Sequence, residues 1–164
     1  MNMQSSDSFD WAFWFQWVMA TTLGWLLGKI LLPSVALLVS GFLVGAFQWA
    51  VLIKRLGKAR RWAVATIIGW SIGSLIYVIG VPPAFDLLAG AIIGAAVGIA
   101  QWNLLRREFH WTGWWIPVSV IAWTTGLTLL PGILSTAVTS GAITGLALDL
   151  ILRYPKRVKM GKSE

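Results

Sequence analysis

The chain has 164 residues, of which 57% are hydrophobic and only 12% charged, and its formal net charge is +7. A soluble domain carries roughly a quarter of its residues as charges, so much of this surface meets something other than water. Cysteine is absent, which excludes disulfides, thiolate zinc sites and iron–sulfur clusters.

The leading segment, Met1 to Asp10, has no Lys or Arg and carries Asp7 and Asp10. No small-residue cleavage site follows it, so the first apolar run reads as a retained helix and not as a cleaved signal. Apolar runs then succeed one another at Trp11–Leu32, Ser34–Ile53, Trp62–Gly80, Ala84–Leu105, Trp114–Leu130 and Ile133–Leu152. Most are close to the ~20 residues that a helix needs to cross a ~30 Å hydrocarbon core. The fifth is shorter, which implies little tilt or a locally thinned bilayer. None alternates with period two, so helices are expected and strands are not. The predicted fold is all-α, a polytopic membrane protein with six transmembrane helices over 11–152. A short segment, 1–10, precedes the bundle and a basic tail, 153–164, follows it.

Helix breakers mark the turns between paired runs: Pro33, Pro82-Pro83 and Pro131-Gly132. Pro117 stands in the first turn of the fifth run, where its missing donor costs little. The other connections are basic. Lys54, Arg55, Lys58, Arg60 and Arg61 follow the second run, Arg106 and Arg107 the fourth, and Arg153, Lys156, Arg157, Lys159 and Lys162 the sixth, with Lys29 the one exception. This is the positive-inside pattern, and it puts both termini in the cytoplasm. The same charges predict contact with a bilayer containing anionic headgroups, and no nucleic-acid partner.

Three units align in register, at about 11–55, 61–107 and 114–153. In the first helix of each, Trp17, Trp62 and Trp115 precede Gly24-Trp25, Gly69-Trp70 and Ala122-Trp123, then Gly28, Gly73 and Gly126. The second helices read GFLVGAFQWAVLIKR from Gly41, GAAVGIAQWNLLRR from Gly94 and GAITGLALDLILR from Gly141. Helical hairpins that repeat this way enter the membrane in one direction, which predicts parallel repeats about a pseudo-threefold axis. Gly41 and Gly45, Gly94 and Gly98, and Gly141 and Gly145 form small-residue faces for close helix packing. Gly24, Gly28, Gly69, Gly73 and Gly126 do so on the odd-numbered helices. The even-numbered helices are expected to make the inner contacts.

The motif GxxxGxxQWxxLRR followed by a Trp-rich segment resembles small multi-helix membrane proteins of cyanobacteria and Chloroflexota. Their last repeat ends in GAxTGLALxxLLRxP, and here Gly141 to Pro155 read GAITGLALDLILRYP. The resemblance covers about 11–155 and implies a bacterial plasma membrane, or a thylakoid membrane for a cyanobacterial source. It brings no activity and no catalytic residues. One departure is Asp149, which stands where the earlier repeats have Trp49 and Trp102.

Apart from Asp86 at the start of the fourth run, Asp149 is the one acidic residue inside a run, and a carboxylate at mid-membrane costs roughly 2.5–3.5 kcal/mol. Its place in the last turns, four residues before Arg153, favours an ion pair at the interface. Gln48 and Gln101 hold equivalent positions and read first as amides bonded to neighbouring helices. The functional alternative gathers Gln48, Gln101, Asn103 and Asp149 into a polar site for a small ligand or a headgroup. His110 has neither a second His nor a Cys to help it, and no metal is expected.

Of the twelve tryptophans, Trp17, Trp62 and Trp115 fall at the cytoplasmic boundary, where indole is favoured. Trp25, Trp70 and Trp123 lie eight residues on, ~12 Å deeper. Trp25, Trp49, Trp70, Trp102 and Trp123 together would suit an aromatic surface for pigments, quinones or lipid tails; anchoring and packing against the glycines is the plainer alternative. No P-loop, dinucleotide fingerprint or HExxH motif occurs, and no enzyme is expected. Two functions stand. The first is an accessory, assembly or scaffold subunit of a membrane complex, with lipid or pigment as cargo. The second is a small-solute transporter or substrate-binding component.

Overall fold

The computed structural model describes residues 8–31, 36–80, 86–129 and 132–156. Most of the leading segment, the turn residues Pro33, Pro82, Pro83 and Pro131, and the tail with Arg157, Lys159 and Lys162 lie outside the described residues. The described chain forms α1 (Trp11–Leu31), α2 (Ala36–Leu52), α3 (Ala59–Gly80), α4 (Asp86–Glu108), α5 (Trp115–Thr124) and α6 (Ile133–Leu152). No strand occurs among these residues, only an isolated bridge between Phe109 and Pro155. Three helices, Ala59–Gly80, Leu88–Glu108 and Ile133–Leu152, are long and apolar enough to cross a membrane. The apolar α2 has 17 residues. In α1 four tryptophans, each with a polar N–H, dilute the aliphatic content.

The fifth apolar run is not one uniform helix. A 3-10 turn, Thr112–Trp114, leads into α5, and a π-turn, Thr125–Leu129, prolongs it. A π-turn detaches a carbonyl from the regular ladder. Here the hydroxyl of Thr136 on α6 donates to the Gly126 carbonyl at 2.8 Å, so the irregularity is bonded across the helix pair.

Each helix packs on its two neighbours in sequence, and α6 closes onto α1. The ring corrects the expectation of inner contacts among even-numbered helices, since α2, α4 and α6 do not pack substantially on one another. The small residues face sideways instead. A Cβ on Gly24 would lie 2.5 Å from the Val44 backbone nitrogen on α2, and one on Gly94 would lie 2.6 Å from the Ser119 carbonyl on α5. Odd-helix glycines therefore seat the even helix of their own hairpin. Even-helix glycines seat the next odd helix, and Gly141, beside Val18 of α1, completes the circle. Backbones meet laterally because the axis is filled with large side chains.

Polarity is distributed inside out. Ile30, Leu38, Phe42, Val64, Ile72, Ile79, Ile121 and Leu134 are among many large apolar residues on the outside, while Thr21, Ser40, Thr66, Ser119, Thr136, Ser140 and Thr144 are buried. In lipid this arrangement is expected, because apolar side chains lose nothing by facing acyl chains and hydroxyls must find partners within the protein.

At the basic end the helix termini are tied together. Asp10 caps α1, accepting the Phe13 N–H at 2.9 Å, and its other oxygen pairs with Arg55 at 2.6 Å. The Phe13 amide and the Arg55 guanidinium together hold the Asp10 carboxyl below its ordinary value of 3.8. The Lys156 N–H donates to the Glu108 carbonyl, and the His110 N–H to the Tyr154 carbonyl.

Candidate functional site

The ring axis carries three stacked layers. Nearest the basic end, Trp17, Trp62 and Trp115 pack edge to face, with ring centroids 5.7 Å apart for Trp17 and Trp62 and 5.6 Å for Trp62 and Trp115. Farther along, Trp25, Trp70 and Trp123 make a second triangle with centroids 4.6–6.0 Å apart. All six rings are at most 3% exposed. Two expectations are corrected by this. Trp17, Trp62 and Trp115 do not anchor the protein at an interface, and Trp25, Trp70 and Trp123 form no surface. The six rings are the bulk that fills the ring's centre. Trp49 and Trp102 are half-buried and flank the first triangle. The tryptophans with the exposure of anchors are Trp11, Trp111 and Trp114, at 67–70%.

Between the triangles lies a polar layer. The Trp62 indole N–H donates to Gln48 Oε1 at 3.1 Å, and Gln48 Nε2 donates to Thr21 Oγ1 at 3.1 Å. The Trp115 indole donates to Gln101 Oε1 at 3.0 Å, and Gln101 Nε2 donates to Thr66 Oγ1 at 2.8 Å. Each glutamine therefore ties three helices, its own, the preceding one and the following one. At the α6–α1 seam Leu148 occupies the corresponding place, and the Trp17 indole donates instead to Thr144 Oγ1 at 3.0 Å. Thr144 lies one turn before Leu148, where α2 and α4 have Val44 and Val97 one turn before their glutamines. The polar and apolar members of an i, i+4 pair have exchanged places, and the indole still finds an oxygen.

These residues surround a small central cavity of about 10 Å³, which touches both glutamines, Ser119 and Thr144. That is near the lower limit for one water molecule, ≳10–15 Å³. No charged side chain lines it, so its chemistry is that of neutral hydrogen bonding. The second triangle is less completely bonded, since the Trp25 and Trp70 indole nitrogens are buried without a partner among the described residues.

The expected grouping of Gln48, Gln101, Asn103 and Asp149 is not what the fold brings together. Gln48 and Gln101 share the axial layer, but Asn103 is exposed on the outside, two residues round the helix from Gln101. Asp149 is also off the axis; it is buried and makes the expected ion pair with Arg153 one turn away. Arg153 in turn lies over the Phe9 ring, 5.9 Å from its centroid. Among the described residues no three His, Asp or Glu side chains come together.

Sequence reasoning missed Thr21, Thr66, Ser119 and Thr144. The first three follow Trp17, Trp62 and Trp115 at a constant spacing of four, which puts hydroxyl and indole on one helix face. Comparison with family models, with curated proteins and with solved structures finds no match.

Proposed function

We propose that the chain is a six-span integral membrane protein, three parallel helical hairpins about a pseudo-threefold axis, with both termini cytoplasmic. It acts without catalysis as an accessory, assembly or scaffold subunit of a larger membrane complex. The sequence resemblance supports a bacterial plasma membrane or thylakoid membrane as its place. Hairpin repetition is supported by the equivalent partners of Trp62 and Trp115 and by glycine seats that recur around the ring.

The observation that carries the functional reading is the filled axis. Two buried tryptophan triangles and a mutually bonded polar layer leave about 10 Å³ between them, so the capacity to bind other molecules lies on the apolar exterior. Pigment or lipid, if held, sits outside the ring. A small-solute transporter ranks second, because it requires a midplane passage that this packing fills.

Native mass spectrometry on the protein extracted from its own membrane tests the reading. The expected result is a defined complex with other membrane subunits. A solitary chain that takes up solute in proteoliposomes would overturn it in favour of transport.

A further inference from the structure

The flank of α3 at the basic end carries a site that the axial packing does not use. Arg60 and Arg61, at the start of α3, stand at the head of a groove of about 390 Å³ between α3 and α4. Below them its walls are Val64, Ala65, Ile68, Ala100 and Leu104, all aliphatic. Arg60, Val64 and Ile68 follow at i, i+4 and i+8, one stripe of the helix running ~12 Å from the charged end into the apolar belt. Val64 and Ile68 are about half exposed along it. Neither arginine has a carboxylate partner among the described residues, whereas Arg55, Lys58 and Arg153 each have one. The same two arginines border a second hollow of about 550 Å³, with Trp49, Ile53 and Leu56 on its far side.

We propose that Arg60 and Arg61 bind the phosphodiester of an anionic phospholipid, with an acyl chain lying in the α3/α4 groove. The inference rests on the membrane reading, since the groove meets lipid only if α3 and α4 span the bilayer. Guanidinium is the side chain best matched to phosphate oxygens, through paired N–H donors. Basic residues just cytoplasmic of a span draw anionic lipids. What distinguishes this place from a general basic surface is the coincidence of two unpaired guanidiniums with an aliphatic trough that begins beneath them. A free phosphate would use the first feature only, and a nucleic acid would find no use for the second.

The test uses the full chain, delipidated in mild detergent and titrated in native mass spectrometry with phosphatidylglycerol, phosphatidylcholine of the same acyl chains, and inorganic phosphate. Phosphatidylglycerol is expected to bind in preference to phosphatidylcholine. Arg60→Gln with Arg61→Gln should weaken it about thirtyfold. Lys54→Gln with Arg106→Gln, which removes the same charge away from the groove, should leave it unchanged. Ala100→Phe fills the groove without altering charge and should also weaken the lipid, while having no effect on phosphate. Equal losses in the two charge variants would reduce the site to net charge and overturn it. Displacement of the lipid by phosphate alone, or a dimer that replaces the lipid adduct, would overturn it too. Incorporation into vesicles separates the two levels of failure. A chain that does not insert brings down the membrane reading and the site with it; one that inserts but shows no anionic preference brings down the site alone.

Discussion

Trp62 on α3 donates its indole N–H to the side-chain oxygen of Gln48 on α2, 3.1 Å away, and both residues are at most 4% exposed. Gln48 passes the interaction on to Thr21 of α1, so one side-chain amide joins three helices.

Gln48→Leu leaves the Trp62 indole N–H and the Thr21 hydroxyl without their partner at the centre of the ring. We expect a loss of about 1–2 kcal/mol, above the ~0.6 kcal/mol average for membrane hydrogen bonds because two groups are orphaned. Gln101→Leu should behave alike through Trp115 and Thr66. Reversible unfolding in micelles, followed by tryptophan fluorescence, measures both.

The α6–α1 seam makes the same bond with different residues, and this predicts a rescue. Thr144→Val removes the acceptor of the Trp17 indole and should cost about 1 kcal/mol. Adding Leu148→Gln recreates the arrangement of the other two seams, with an amide between Trp17 and Ser119. The double variant is expected to recover most of the loss; if the two substitutions simply add, the seams are not equivalent.

Glycine substitutions should separate by place and not by residue type. A Cβ on Gly28 would run into the Ser40 backbone of α2, whereas one on Gly57 meets nothing within 4 Å. Gly28→Ala should therefore destabilise by about 1–3 kcal/mol, as overpacking does, and Gly57→Ala should be close to neutral. The same unfolding measurement decides it.

Asp10 gives the basic end a pH dependence. The Phe13 amide and Arg55 hold its carboxyl below the ordinary value of 3.8 in the folded chain. The unfolded chain therefore takes up a proton first as pH falls. The stabilisation is fully present above that ordinary value and is lost as pH drops through the lower folded value. With side chains 35–39% exposed the effect is small. Stability measured from pH 6 down to pH 3 should fall more steeply for the wild type than for Asp10→Asn.

Much of the helical plan was legible in the sequence. The six apolar runs coincide with the helices within a few residues, the fifth once the π-turn that prolongs α5 is counted, because length and unbroken hydrophobicity are local properties that a single segment carries by itself. The glycine positions were legible for the same reason. Which neighbour each glycine meets was not, since a small-residue face marks a close approach without naming the partner. The inner ring of even helices was therefore misplaced. The role of Trp17, Trp62 and Trp115 was misread as well, because indole near a helix end suits a membrane interface and a bundle core equally.

By itself, the sequence determined where helices form, where backbones can come close, and that α6 carries Leu148 and Asp149 where α2 and α4 carry Gln-Trp. Only the tertiary structure decided that the departure is compensated at Thr144, that the tryptophans fill the axis, and that Gln48 and Gln101 are held by hydroxyls four residues beyond a tryptophan. The physical reason is that a hydrogen bond between helices depends on which faces meet around a closed ring. That is settled by the packing of all six helices together and is carried by no single one of them.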